Sequence, residues 1–179
     1  MDAITFIRHA LTQAQQRFIA SLDGLSEADA TRRPAPHANT ILEIAWHVAR
    51  TDDRMGRTAC RLGPELWESQ GWSARVGVAD IRPRQPYQFL KAPDAVAPRL
   101  EDVRAYLEAV HADTLEKLRG LAETDLDRVP DAAKPDRTVA TYLRHMITHK
   151  NNHHGQIDFI RGLLHPGWDL PPGTGIVQR

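Results

Sequence analysis

Apolar residues recur at spacings of three and four along four long segments, which predicts four amphipathic helices. The predicted helices span residues 2–22, 40–62, 100–121 and 138–164. Thr40 and Glu43 have the spacing of a capping box at the start of the second helix. No segment shows a strand pattern of comparable strength. The pattern therefore predicts an all-α protein.

The second and third predicted helices are separated by a long segment, residues 64–98, that contains five prolines. We predict an irregular connection there, with one helical turn at most. A long crossover between helices 2 and 3 is typical of four-helix bundles that do not run simply up-down-up-down. We therefore predict one domain, residues 1–179, folded as a four-helix bundle with this long crossover. A short extra turn is expected at 26–29.

Composition narrows the possible partners. Basic and acidic residues number 23 each, and this balance argues against a nucleic-acid binder, which usually carries a basic excess. No stretch approaches the ~20 apolar residues that span a bilayer, and the N-terminus does not resemble a signal peptide. The single cysteine, Cys60, fits a reducing compartment. We expect a cytoplasmic protein with no membrane or nucleic-acid partner.

Histidines are the unusual feature, since four of the nine lie between positions 145 and 154. His149 and His153 are four residues apart and share a helical face. On a helical wheel both fall within the apolar stripe centred on Met146, whereas His145 and His154 fall on opposite flanks. Two imidazoles on one helical face can supply two metal ligands. The pattern indicates a divalent transition-metal site.

A third ligand must come from another helix. His47 is the best candidate, and His9 and His111 compete with it. The alternative is that the inward histidines are core polar groups without a metal, in which case each imidazole needs its own hydrogen-bond partner. The remaining histidines are expected in the core or on the surface.

Two sequence motifs resemble signatures of the DinB-like family of four-helix-bundle metalloproteins. One is Trp46-His47 early in the second helix. The other is His-x-x-x-His followed by x-Gly-Gln, here residues 149–156. The resemblance covers almost the whole chain. One departure is His154, where many members have arginine.

This resemblance implies a metal held by His47, His149 and His153, with nickel or zinc as the expected ion and open positions for water or substrate. It implies a homodimer, and in some members a low-molecular-weight thiol as co-substrate. A metal- and thiol-dependent transferase or hydrolase acting on a small electrophile is therefore one hypothesis. A non-catalytic metal-binding sensor or stress-response protein is the alternative.

Other polar residues are assigned minor roles. Arg75, Arg82 and Arg84 in the crossover can bind a substrate carboxylate or simply be solvated, and solvation is favoured. Asp52 and Asp53 are expected to be solvated, and Cys60 is expected to be a surface or interface thiol. Gln156 is a candidate to orient a ligand imidazole.

Overall fold

The computed structural model describes residues 1–60, 63–77 and 97–171. These residues form seven α-helices and one 3-10 helix, and they contain no strand. The helices are α1 Ala3–Ala20, α2 Glu27–Thr31, α3 Ile41–Cys60, α4 Leu66–Ser69, α5 Trp72–Val76, α6 Leu100–Leu118 and α7 Val139–Leu164, and the 3-10 helix is Glu123–Asp127. The prediction of an all-α protein is confirmed.

Local sequence signals fix the starts of the long helices. Asp2 accepts a hydrogen bond from the Thr5 amide at the start of α1, and Thr138 caps α7. At α3 the predicted capping box is present: the Glu43 amide donates to Thr40 Oγ1 at 3.1 Å, and the Thr40 amide donates to Glu43 Oε2 at 2.8 Å. Each cap satisfies amide groups that a helix leaves without internal partners.

The directions of the four long helices follow from contacts at their two ends. Arg50 bonds to Tyr106, and Gly56 lies beside Thr114, so α3 and α6 run parallel. Lys150 bonds to Gln15 and Arg161 bonds to the Ser21 carbonyl, so α1 and α7 are also parallel to each other. Because His47 meets His149 and Gly56 meets Met146, α3 runs antiparallel to α7. The four long helices are therefore arranged up-down-down-up.

The helix ends differ slightly from the prediction. The first helix ends at Ala20 rather than at residue 22, and the third ends at Leu118 rather than at residue 121. Leu22 is nevertheless buried, and Leu121 packs against the core from the turn that follows α6. Apolar spacing continued past each helix because the following turn also packs against the core.

The described part of the crossover is anchored by buried polar groups of α3. Asp53 accepts hydrogen bonds from the Leu66 and Trp67 amides at 3.0 and 2.9 Å, and it accepts one from the Tyr106 hydroxyl at 2.6 Å. Arg50 pairs with Glu65 at 2.7 Å. These contacts hold the short helix α4 against α3. Two short helices, α4 and α5, occur where at most one turn was predicted.

Within the ranges that the structure describes, no helix combines the length and the apolar character that a membrane span requires.

Candidate metal centre

The three histidines selected from the sequence lie together where α3 packs against α7. His47 is in the second turn of α3, and His149 and His153 follow one another by one turn in the middle of α7. Each histidine offers one ring nitrogen as a ligand atom, and these three nitrogens all lie within 4.8 Å of one another. Helical spacing places the α7 pair on one face, and the antiparallel packing of α3 and α7 adds the third ring.

Both partners of His149 approach the same nitrogen. His47 Nε2 is 3.0 Å from His149 Nε2, and His153 Nε2 is 3.1 Å from that same atom. An imidazole nitrogen has either one hydrogen or one lone pair, so His149 Nε2 can form only one of these two hydrogen bonds. Three lone pairs directed at one cation would remove the conflict.

The nitrogen separations fit metal ligation. Imidazole nitrogens bind zinc at about 2.0–2.1 Å. Two such nitrogens subtending 90–110° at one ion lie about 2.8–3.4 Å apart, by geometry from that bond length. The observed 3.0 and 3.1 Å fall within this interval. These two separations, together with the 4.8 Å within which all three ligand atoms lie, make the histidines a candidate donor set for one transition-metal ion.

Burial keeps these rings neutral, which is the protonation state that a metal requires. His47 is only 8% exposed, and His149 and His153 are partly buried. Burial, reinforced by His153, lowers the pKa of His47 and of His149 to about 3. Burial also lowers the pKa of His153, although Gln156 and Asp52 act in the opposite direction. At neutral pH all three nitrogens can offer a lone pair.

Gln156 supports one of these rings from outside. Its Oε1 lies 2.7 Å from His153 Nδ1. With the amide oxygen as acceptor, His153 carries its proton on Nδ1 and presents the Nε2 lone pair to the cluster. The His149 Nδ1 atom, by contrast, is buried and has no hydrogen-bond partner among the described residues.

The competing histidines lie elsewhere. His9, His37 and His165 are exposed, and His165 lies 3.2 Å from Asp29. His111 is partly buried on α6, outside the cluster. His145 is exposed and stacks on His149, with ring centroids 5.3 Å apart and an interplanar angle of 25°.

One expectation about α3, that Asp52 and Asp53 are solvated, was wrong. Asp52 and Asp53 are each only 2% exposed rather than solvated. They are buried because α2, α4, α6 and α7 all pack against α3, so this helix has little free polar face. Cys60 is partly buried and packs against the core, and burial raises the pKa of its thiol to about 11.

A buried ion pair beside the cluster was missed by sequence reasoning. Lys150, next to His149, is 1% exposed and pairs with Asp52 at 2.7 Å. It also donates to Gln15 Oε1 at 2.6 Å. Lys150 is four residues after Met146 and so lies on the buried face of α7, and this spacing was the available signal. The network links α1, α3 and α7 around the site.

The predicted arginines of the crossover do not reach this site in the described part of the chain. Arg75 pairs with Asp102 at 2.8 Å and stacks on Trp72. Arg82 and Arg84 lie outside the described residues.

Comparisons with known proteins agree with this fold. The model of the DinB superfamily matches residues 10–157, a range that contains all three histidines. The chain is also similar to a crystal structure described as a conserved protein from Enterococcus faecalis. The TM-score is 0.76 at 26% identity, with 91% of this chain and 97% of that chain covered. No curated protein matches.

Proposed function

We propose, since this chain belongs to the DinB superfamily, that it binds one divalent transition-metal ion through His47, His149 and His153. The observation that carries the proposal is the convergence of two imidazole nitrogens on His149 Nε2 at 3.0 and 3.1 Å. Hydrogen bonding alone leaves one of these contacts unsatisfied. Neutral imidazole is a good ligand for divalent transition metals, and we propose nickel or zinc as the ion.

We further propose that the site is catalytic. Structural zinc sites are usually closed by four protein ligands, whereas catalytic sites keep a position open. Among the described residues, the cluster includes three histidines and no cysteine or carboxylate. A bound ion supplies Lewis acidity, which lowers the pKa of a water or thiol at the open position.

The reaction class that fits is the transfer of a thiol or water nucleophile to a small electrophile. In this scheme, His47, His149 and His153 hold the ion, and Gln156 fixes the orientation of His153 through the 2.7 Å contact. Cys60 has no part in it, because its raised pKa keeps the thiol protonated. The external nucleophile is a low-molecular-weight thiol or water.

The second candidate is a non-catalytic metal sensor. It is favoured by the position of the ligands, since an ion here would join α3 to α7 and stabilise their packing. A sensor should change its stability or assembly with metal and show no turnover with thiol and electrophile.

The first experiment is elemental mass spectrometry on protein purified without an affinity tag. We expect close to one equivalent of nickel, zinc or another transition metal in the wild type, and its loss in a His149→Ala/His153→Ala variant. His9→Ala, at an exposed histidine of α1, is the matched control and should retain the metal. A metal-free wild type that also takes up no added nickel or zinc would refute the proposal.

A further inference from the structure

A small pocket lies beside the histidine cluster, toward the N-terminal end of α7. Its volume is about 220 Å³, and it is lined by Met55, Arg137, Thr141, Tyr142, Arg144 and His145. A pocket of this size accommodates one functional group of a small molecule rather than a whole cofactor.

The lining carries positive charge without a matching carboxylate. Arg137 and Arg144 both line the pocket, and no aspartate or glutamate does. Neither arginine forms an ion pair within the part of the chain that the structure describes. The pKa of Asp131 is lowered mainly by its hydrogen bond with Lys134, and the charge of nearby Arg137 also contributes. Guanidinium groups bind carboxylates and phosphates through two parallel hydrogen bonds.

A buried hydroxyl completes the lining. Tyr142 is only 5% exposed, and its Oη has no hydrogen-bond partner among the described residues. An unsatisfied buried hydroxyl is costly, and an oxyanion in the pocket would give this group an acceptor. Two cationic residues and the tyrosine that carries this unpaired hydroxyl thus line the same small volume.

The pocket is connected to the histidine cluster by a single ring. His145 lines the pocket and stacks on His149, one of the three clustered histidines. A group bound in the pocket would therefore lie one ring away from His149.

We propose that this pocket binds an oxyanion group, a carboxylate or a phosphate, of the substrate. That the oxyanion belongs to a substrate rests on the proposed catalytic function, whereas the binding of an oxyanion in this pocket does not. Arg137 and Arg144 neutralise the anion and Tyr142 donates to it. The enzyme would therefore act on small electrophiles that carry an anionic end.

The test uses three probes of similar shape: butyrate, butyl phosphate and the neutral butyramide. Each is titrated into the full-length protein after removal of metal by a chelator, so that no probe can bind by coordination. Amide shifts of Thr141, Tyr142 and His145 in NMR spectra report binding. We expect saturable binding of at least one anion, at least about tenfold tighter than butyramide. The stronger of the two anions identifies the oxyanion.

Variants then assign the binding to the pocket. Arg144→Gln and Arg137→Gln should each weaken anion binding about tenfold, and Tyr142→Phe should weaken it without loss of the fold. Arg99→Gln is the charge-matched control, because Arg99 is exposed at the opposite end of the bundle, before α6. Its affinity should match that of the wild type.

Three results would overturn the proposal. Butyramide could bind as well as the anions, Arg99→Gln could weaken binding as much as Arg144→Gln, or anions could bind only to the metal-loaded protein. Anion binding to the metal-loaded protein alone would support the metal site and refute the oxyanion pocket. Anion binding to a protein that never takes up metal would support the pocket and refute the metal site, so the failure of one proposal can be distinguished from the failure of the other.

Discussion

His47 and His149 place their Nε2 atoms 3.0 Å apart although 102 positions separate them in the sequence. Their rings meet at 60° rather than stacking, and they approach each other through these nitrogens. The contact joins the second turn of α3 to the middle of α7. The candidate site therefore depends on how these two helices pack, and substitutions away from the ligands should affect it in measurable ways.

Replacing Gln156 should weaken metal binding without unfolding the protein. Gln156→Ala removes the acceptor of His153 Nδ1, and loss of such a partner typically lowers metal affinity about 10- to 100-fold. Competition with a chromophoric chelator measures the change. Asn152→Ala, at another exposed amide of α7, should leave the affinity unchanged. Equal affinities for both variants would show that Gln156 does not support the site.

The buried ion pair of Lys150 and Asp52 should matter far more to stability than a surface pair of the same length. Lys150→Met leaves Asp52 buried and uncompensated and should reduce the free energy of unfolding by about 3–5 kcal/mol. Lys134→Met breaks the exposed pair with Asp131, also 2.7 Å long, and should cost about 0–1 kcal/mol. Urea denaturation measures both values. Similar losses would mean that burial does not set the strength of this interaction.

Gly56 permits the close approach of α3 and α6. A Cβ at this position would lie 2.8 Å from Thr114 Oγ1, and Thr114 is a buried residue whose hydroxyl donates to the Val110 carbonyl. Gly56→Ala should therefore destabilise the protein by about 1–3 kcal/mol.

Gly162→Ala is the matched control for Gly56→Ala. Gly162 is also helical, but nothing lies within 4 Å of an added Cβ there. Alanine should then stabilise α7 by about 0.5–1 kcal/mol. Thermal unfolding of the two variants should shift in opposite directions, and a shift in the same direction would refute the steric argument.

His111 should make the metal-free protein less stable in acid. Burial lowers its pKa from 6.5 to about 3, so the unfolded state binds a proton before the folded state does. Its contribution is fully present above pH 6.5 and is lost as the pH falls toward about 3. His111→Gln should reduce the pH slope of unfolding free energy by up to about 1.4 kcal/mol per pH unit in this window. Parallel curves for wild type and variant would contradict this.

The histidine positions were predictable because helical periodicity is a local property. His149 and His153 share a face wherever the helix lies, and Met146 shows which face is buried. His47 was the best candidate for the third ring from its place in the second helix, and the Trp46-His47 motif of the family resemblance supported it, but the sequence alone does not say which helix packs against α7. His9 and His111 could not be rejected until the helix directions were known.

Asp52 and Lys150 show where sequence reading failed. A charged residue beside an amphipathic stripe is normally solvated, but α3 is covered on several sides by α2, α4, α6 and α7. Asp52 is buried together with its partner on α7, Lys150, at 2.7 Å. Which charges on two helices meet in this way depends on tertiary packing, which the pattern of one helix does not give. The pocket beside His145 was missed for the same reason.

The separation of the ligands between α3 and the last long helix, α7, has a consequence for biosynthesis. Because the ligands come from α3 and α7, a nascent chain carries His47 through the synthesis of about a hundred further residues before its partners are made. No amount of early folding among the first three long helices can assemble the ligand set. Uptake of an ion would thus mark the docking of the last helix, and metal occupancy would report on the completeness of folding in newly made molecules.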